Sequence, residues 1–355
     1  MTMKCVTFVY PGELDTPTGG YIYDRRIIEG LQKLGWQVEL LSLGSGFPYP
    51  SQTTVDGASA LLKTIAPGRL VVMDGLALGV LPGPVAQCAQ RNPVIALIHH
   101  PLAFESGLSP EQVTTFRISE TQALSHVAHV IATGPATARD LAQTFEVPPE
   151  SIDVVCPGTV RASQATGSGS ETLHLLSVGS ITPRKGFDIL LAALAPLADM
   201  PWTLSIAGDL SRDAQAPLKL KQDIVRFGFE ARVHLLGVVD DACLETLYRR
   251  ADVFVLASWF EGYGMAYAEA LARGLPVIGT TGGAIPDTVP ADAGVLVPPG
   301  DIESLTQALC SVMQDTALRT SLSQGAQQAA ALQPSWEQSV DRFAEILSRQ
   351  SILRR

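Results

Sequence analysis

Apolar residues fall in short runs separated by longer amphipathic stretches, and this rhythm continues to the end of the chain. KCVTFVY (4–10) is followed by the helical pattern GGYIYDRRIIEGLQKLG (19–35) and then by WQVELLSL (36–43). RLVVMDG (69–75), PVIALIHH (93–100), AHVIATG (128–134) and ESIDVVCPG (150–158) extend the series. Runs that are apolar on both faces, with helical stretches between them, predict parallel strands covered on both sides. A polar segment, RASQATGSGSE (161–171), then interrupts, and its Gly, Ser and Thr content predicts a flexible joint. The rhythm restarts with TLHLLSVGS (172–180), WTLSIAGD (202–209), RVHLLG (232–237), DVFVLAS (252–258), LPVIGTT (275–281) and GVLVPPG (294–300). The final stretch, SWEQSVDRFAEILSRQ (335–350), is an amphipathic helical pattern with no strand after it.

The pattern predicts an α/β protein of two Rossmann-like, doubly wound parallel-sheet domains. The first is expected over 1–165, the second over 172–333, and 334–355 is expected as a closing helix that crosses back to the N-terminal domain. Such sheets carry their ligand loops at the C-terminal ends of the strands, so chemistry is expected in a central cleft that both domains face.

Composition narrows the function classes. A chain of 355 residues is long for one core. With 46% hydrophobic and 17% charged residues it is globular rather than disordered. The net charge is −10 and neither half is basic, which excludes a nucleic-acid-wrapping surface and a polybasic membrane patch. Five well-separated cysteines (5, 88, 156, 243 and 310) predict free thiols in a reducing compartment. The first apolar run is too short for a signal peptide, and none is long enough for a membrane span. The expectation is a cytoplasmic protein without stable membrane insertion, peripheral contact being left open.

Five stretches could carry chemistry. SWFEGYGMAYAEALARG (258–274) puts Glu261 in a loop after a strand and Glu269 on the following helix. The amides of Gly262, Tyr263, Gly264 and Met265 lie where that helix starts and its N–H groups are free to meet hydroxyls or anions. A carboxylate accepts two vicinal sugar hydroxyls well, although surface charge would also account for the pair. VGSITPRKG (178–186) sets Gly179, Arg184 and Lys185 after another strand; two cations there suit a diphosphate, or are a solvated pair. Gly19 and Gly20 open the first long helix, where a ligand can approach the backbone, or simply make a turn. His99 and His100 end a buried strand, and a histidine there can bond a sugar or shuttle a proton. Gly282-Gly283 follows a strand, as a phosphate loop or a plain turn. His126 and His129, three apart on a stretch read as helical and with no third ligand nearby, read as structural, and no metal-ligand spacing is present. A dinucleotide glycine fingerprint is absent from both halves.

The order of these features resembles the family 4 glycosyltransferases, retaining enzymes of the GT-B fold. The similarity runs over most of the chain and is carried by Gly19-Gly20, His99-His100, VGSITPRKG, the E-x7-E pair Glu261 and Glu269, and Gly282-Gly283. The resemblance implies a hexosyltransferase of carbohydrate biosynthesis that uses a nucleotide-diphosphate sugar and requires no cofactor or metal. It implies that Glu261 and the 262–265 backbone hold the donor sugar, with Glu269 on the ribose. Arg184 and Lys185 would neutralise the diphosphate, which Gly179, Gly19 and Gly20 would approach. His99, with His100 second, would line the sugar site. The acceptor would be a sugar, a lipid-linked intermediate or a small molecule. The family's G-G-x-x-E reads here as Gly-Gly-Ala-Ile-Pro-Asp, ending on Asp287, and Tyr263 stands where Phe is usual. An epimerase or hydrolase acting on the same donor, or a non-catalytic nucleotide-sugar binding protein, stands as the alternative.

Overall fold

The structure, a computed structural model, describes residues 4–352. The chain divides into two compact units, one of residues 1–158 with 334–355 and one of 159–333.

The first unit is built on a six-stranded sheet: β1 (Cys5–Tyr10), β2 (Gln37–Ser42), β3 (Leu70–Asp74), β4 (Val94–Ile98), β5 (His129–Ala132) and β6 (Ile152–Val154). The spatial order is β2-β1-β3-β4-β5-β6 with every pair parallel. β3 and β4 are buried along their whole length. Their unbroken apolar sequence follows from helices covering both faces, since no face is left for polar residues. The order reverses between β1 and β3, so this is where a ligand crevice is expected, at the strand C-termini.

Two apolar layers flank this sheet. One gathers Val71, Met73, Ala96 and Ile98 with Leu78, Phe116 and Phe145. The other gathers Phe8, Val72 and Ile95 with Ile27 and Leu31 of the helix Gly19–Lys33, and with Phe343 and Leu347 of the terminal helix Trp336–Ile352. Close helix contact needs a residue without a side chain. A Cβ on Gly30 would lie 2.3 Å from Val340 Cγ2. Polar contacts also fasten the terminal helix: Ser339 Oγ donates to the Cys156 carbonyl at 2.8 Å, and Arg342 pairs with Asp153 at 2.8 Å.

The second unit repeats the plan with β7 (Leu173–Val178), β8 (Trp202–Ala207), β9 (Val233–Gly237), β10 (Val253–Val255), β11 (Val277–Thr280) and β12 (Gly294–Val297). Its order is β12-β11-β10-β7-β8-β9, again all parallel. This is the dinucleotide-fold order, with its reversal between β7 and β10. All twelve apolar runs in the sequence contain a strand.

Two expectations change. The Gly/Ser/Thr-rich segment 161–171 is held rather than loose. Ala165 N donates to the Arg273 carbonyl, Thr166 N to the Arg249 carbonyl, and Ser168 N to Asp252 Oδ1, all within 3.0 Å. It therefore satisfies carbonyls at two helix ends of the second unit. His129 lies on β5 rather than on a helix, and its Nε2 is 2.7 Å from Asp153 Oδ2, which explains it as a structural residue.

Candidate active site

Both clusters of candidate residues lie at a sheet reversal. In the second unit, β7 ends at Val178 and leads through Gly179 into the short turn Pro183–Lys185, and β10 leads through Ser258 to Glu261. The parallel pairing of β7 with β10 brings these two loops side by side. Gly186 makes the turn possible. Its φ of +63° is left-handed, and a Cβ there would lie 2.0 Å from the Ala257 carbonyl oxygen.

Glu261 is the centre of this cluster and is only 6% exposed. Oε1 accepts from Lys185 Nζ and from Ser258 Oγ, both at 2.6 Å, and Oε2 accepts from Arg184 NH1 at 3.2 Å. Burial alone would push its pKa up. The charges of Lys185 and Arg184 outweigh that and hold it at about 2. The carboxylate is thus ionised at any physiological pH, and it keeps both cations at the sheet edge. Arg184 also donates to the Phe260 carbonyl at 2.7 Å.

After Glu261, Gly262 and Tyr263 lead to Gly264, whose φ of +89° turns the chain into the helix Met265–Ala272. Glu269 lies on that helix. The Tyr248 hydroxyl donates to its Oε2 at 2.9 Å, and Arg273 donates to its backbone carbonyl. Arg273 in turn pairs with Glu245 at 2.6 Å and stacks its guanidinium over the Tyr248 ring at 4.4 Å. Burial raises the pKa of Glu269, partly offset by the Tyr248 hydrogen bond and the Arg273 charge.

Gly282 and Gly283 have a packing task. A Cβ on Gly282 would lie 2.3 Å from the Trp259 carbonyl oxygen, and one on Gly283 2.4 Å from that of Glu261. Ala284 N donates to the same Glu261 carbonyl at 2.8 Å. This loop is therefore a backbone brace for the Glu261 loop, which accounts for both glycines without a phosphate.

In the first unit the candidates gather at the reversal between β1 and β3. Thr18 caps the helix that Gly19 opens, and a Cβ on Gly20 would lie 3.3 Å from His99 Cδ2. His99 follows β4. Its Nε2 is 3.1 Å from Asp24 Oδ1 and 3.5 Å from Asp74 Oδ2. Asp24 is fully buried and Asp74 is 3% exposed. Burial would push His99 down, but the two carboxylates outweigh it and hold the ring charged up to about 10. His100 turns elsewhere, to Glu105 Oε2 at 3.3 Å.

Among the described residues, Asp24, Asp74 and His99 are the group whose ligand atoms lie close enough together to hold a metal ion. Nε2 donates to Asp24 Oδ1 and lies 3.5 Å from Asp74 Oδ2, and the two carboxylates favour the protonated ring. The sequence reading missed Asp24, Asp74, Ser258, Tyr248 and Arg273. Weak signals existed for three: an acid four residues after Gly20, an acid closing an apolar strand, and a hydroxyl three residues before Glu261.

Residues 172–315 match the family model described as Glycosyl transferases group 1. That stretch lies within the second unit, and the two units have the GT-B fold. The chain is 28% identical over 292 residues to a D-inositol 3-phosphate glycosyltransferase of Saccharomonospora viridis, covering 75% of this chain and 67% of that protein. It is 25% identical to an MMP α-(1→4)-mannosyltransferase of Mycolicibacterium hassiacum, over 75% of this chain and 66% of the relative. The match thus spans about two thirds of the length of these curated relatives. Among solved structures, the chain superposes on sucrose-phosphate synthase from Thermosynechococcus elongatus with a TM-score of 0.84 at 20% identity, covering 99% and 100% of the two chains. It also superposes on Anabaena HepE in complex with UDP and glucose, with a TM-score of 0.76 at 22% identity, covering 98% and 99%. These similarities in shape establish the fold that the chain shares with them. Among its described residues, no helix is long and apolar enough to cross a membrane.

Proposed function

We propose that the protein is a retaining transferase that moves a hexose from a nucleoside-diphosphate sugar to an acceptor hydroxyl, and that its second unit holds the donor. The observation that carries this reading is the Glu261 carboxylate, ionised and flanked by Lys185 and Arg184 at the sheet reversal. An anion with two cations beside it suits a ligand that joins hydroxyls to a diphosphate. Glu261 and the amides of 262–265 would take the sugar hydroxyls, and Lys185 and Arg184 the diphosphate oxygens. Glu269, oriented by Tyr248, would accept the ribose hydroxyls. In the first unit, Gly19, Gly20, His99 and His100 would serve the transferred sugar and the acceptor. The names of the relatives, a glycosyltransferase of an inositol phosphate and a mannosyltransferase, support sugar transfer to a small phosphorylated or sugar acceptor. The UDP seen with HepE supports a nucleoside diphosphate as leaving group.

The reaction breaks the bond between the anomeric carbon and the diphosphate oxygen and forms one to the acceptor oxygen on the same face. Charge gathers on the departing diphosphate, where two side-chain cations and the start of the helix Met265–Ala272 stabilise it. The acceptor proton passes to that diphosphate. In this scheme the side-chain cations take the role a metal would otherwise have. Among the described residues no cysteine forms a disulfide, which suits action in the cytoplasm.

A thermal-shift screen of nucleoside diphosphates and nucleotide sugars on the intact chain tests the proposal. A ligand that binds only the folded state raises the transition. The proposal expects a diphosphate or its sugar conjugate to do so and the matching nucleoside to do little. No response to any member of the panel would sink it.

A further inference from the structure

His99 reaches the first unit's sheet edge with its two ring nitrogens in different surroundings. Nε2 faces inward, between two acids that the fold has buried. Asp24 comes from the helix Gly19–Lys33 and Asp74 from the end of β3, so with His99 after β4 three separate elements at the reversal meet at one nitrogen. Among the described residues Nδ1 has no hydrogen-bond partner, and the side chain stays 21% exposed. The Tyr23 ring meets the imidazole edge-on at 5.4 Å, and Gly20 packs against it, fixing its plane. Thr133 and Thr137 hold its backbone carbonyl from the neighbouring loop and helix. The ring is tethered on the inside through Nε2, and its side chain is partly exposed.

The acids give a second, independent sign. Asp24 Oδ2 is buried without a hydrogen-bond partner. A fully buried carboxylate with one oxygen unsatisfied costs stability. A neutral residue would serve the helix better. What the carboxylate does supply is charge on the ring.

We propose that Asp24 and Asp74 are positioning residues that lock His99 as an imidazolium, so that Nδ1–H is a permanent hydrogen-bond donor to a hydroxyl of the transferred sugar or the acceptor. This rests on the reading of the protein as a nucleotide-sugar transferase. It assigns His99 the role of a fixed donor and removes it as a general base, because a ring that already carries both protons cannot accept another. The acceptor proton must then leave by another route, in agreement with its passage to the diphosphate. The titratable groups set against the ring are Asp24, Asp74 and the Tyr23 phenol. The first two act directly on Nε2; burial raises Asp24 itself to about 7 against the pull of the His99 charge, so its charge on the ring is full only above that pH, and burial pushes Tyr23 well above its ordinary range, so it stays neutral.

The direct test is a pH titration of the histidine ring signals of the full chain by nuclear magnetic resonance, with His99 assigned by its loss in His99→Gln. The wild-type ring keeps both protons from pH 6 to about 9, above the ordinary value of about 6.5. Asp24→Asn, which keeps size and shape, moves the titration down by at least one pH unit, and Asp24→Asn with Asp74→Asn moves it further. In turnover, Asp24→Asn lowers kcat on the order of 100-fold, with donor KM changed less than about threefold. It also acquires a fall in rate as pH rises through the new titration point. A wild-type His99 that titrates below pH 7 overturns the inference, as does an Asp24→Asn protein with an unshifted titration. Loss of the ring-proton signals on stoichiometric zinc also overturns it, making the cluster a metal site. The titration needs no ligand, so it stands even where the nucleotide screen fails. A charged His99 in a protein that binds no nucleotide sugar upholds the lock and sinks the proposed function instead.

Discussion

Replacing Glu261 by Gln removes one negative charge and leaves Lys185 and Arg184 facing a neutral amide. The cost can be worked from the structure. The carboxyl sits at about 2 in the folded protein against an ordinary 4.5. Each pH unit of that depression is worth about 1.4 kcal/mol, so the ionised form gains about 3 kcal/mol from its surroundings. Glu261, Lys185 and Arg184 side chains are 8%, 14% and 22% exposed, so solvent screens the cluster only in part. Breaking a buried pair by removing one partner costs about 3–5 kcal/mol, which agrees. Because the pKa is depressed, the stabilisation is fully present above about pH 4.5 and is lost as pH falls through about 2. Urea unfolding at a series of pH values, followed by tryptophan fluorescence, measures this. At pH 7 the Glu261→Gln protein should be less stable by about 3 kcal/mol, and the gap should close as pH drops from 4.5 toward 2. Adding Lys185→Met should recover part of the loss, since the unpaired ammonium goes with it. A Glu261→Gln protein within about 0.5 kcal/mol of wild type at pH 7 would refute the reasoning, and so would a gap independent of pH.

Two further outcomes are expected. Glu120 accepts from the Leu102 and Ala103 amides at 2.7 and 3.0 Å, and burial outweighs those bonds and raises it from 4.5 to about 7. A raised carboxyl stabilises fully below about pH 4.5 and loses that contribution as pH rises through about 7. Glu120→Gln should therefore flatten the fall in stability between pH 5 and 8, about 3 kcal/mol at most, in denaturation curves at each pH. Tyr248→Phe removes the hydroxyl that orients Glu269. It should weaken nucleoside-diphosphate binding by about 1 kcal/mol, roughly fivefold in calorimetric Kd, while leaving the binding of inorganic pyrophosphate unchanged.

The sheets were legible because burial on both faces forces apolar runs, and nothing else in a chain of this charge produces twelve of them. Glu261, Arg184 and Lys185 were legible as residue types in loops after strands. Their meeting was not, because it depends on β7 pairing with β10, about 75 residues later in the chain. The same holds more strongly for Asp24, Asp74 and His99, which the strand order β2-β1-β3-β4 draws together from separate segments. Tyr248 carries no local mark at all; its hydroxyl reaches Glu269 only through the packing of two helices. Composition misled at 161–171, where small polar residues suggested looseness. Exposed carbonyls at the ends of two helices capture those amides instead. The glycines at 282 and 283 were visible, but a glycine records only that something comes close. Here it is backbone from the Glu261 loop.

Isothermal titration of a nucleotide sugar that shifts the thermal transition, into the wild-type chain and into Glu269→Ala and Lys185→Ala, tests the donor site most directly. The proposed function predicts clear binding to wild type and at least tenfold weaker binding to each variant, with folded circular-dichroism spectra throughout. Equal affinity in all three proteins would contradict it.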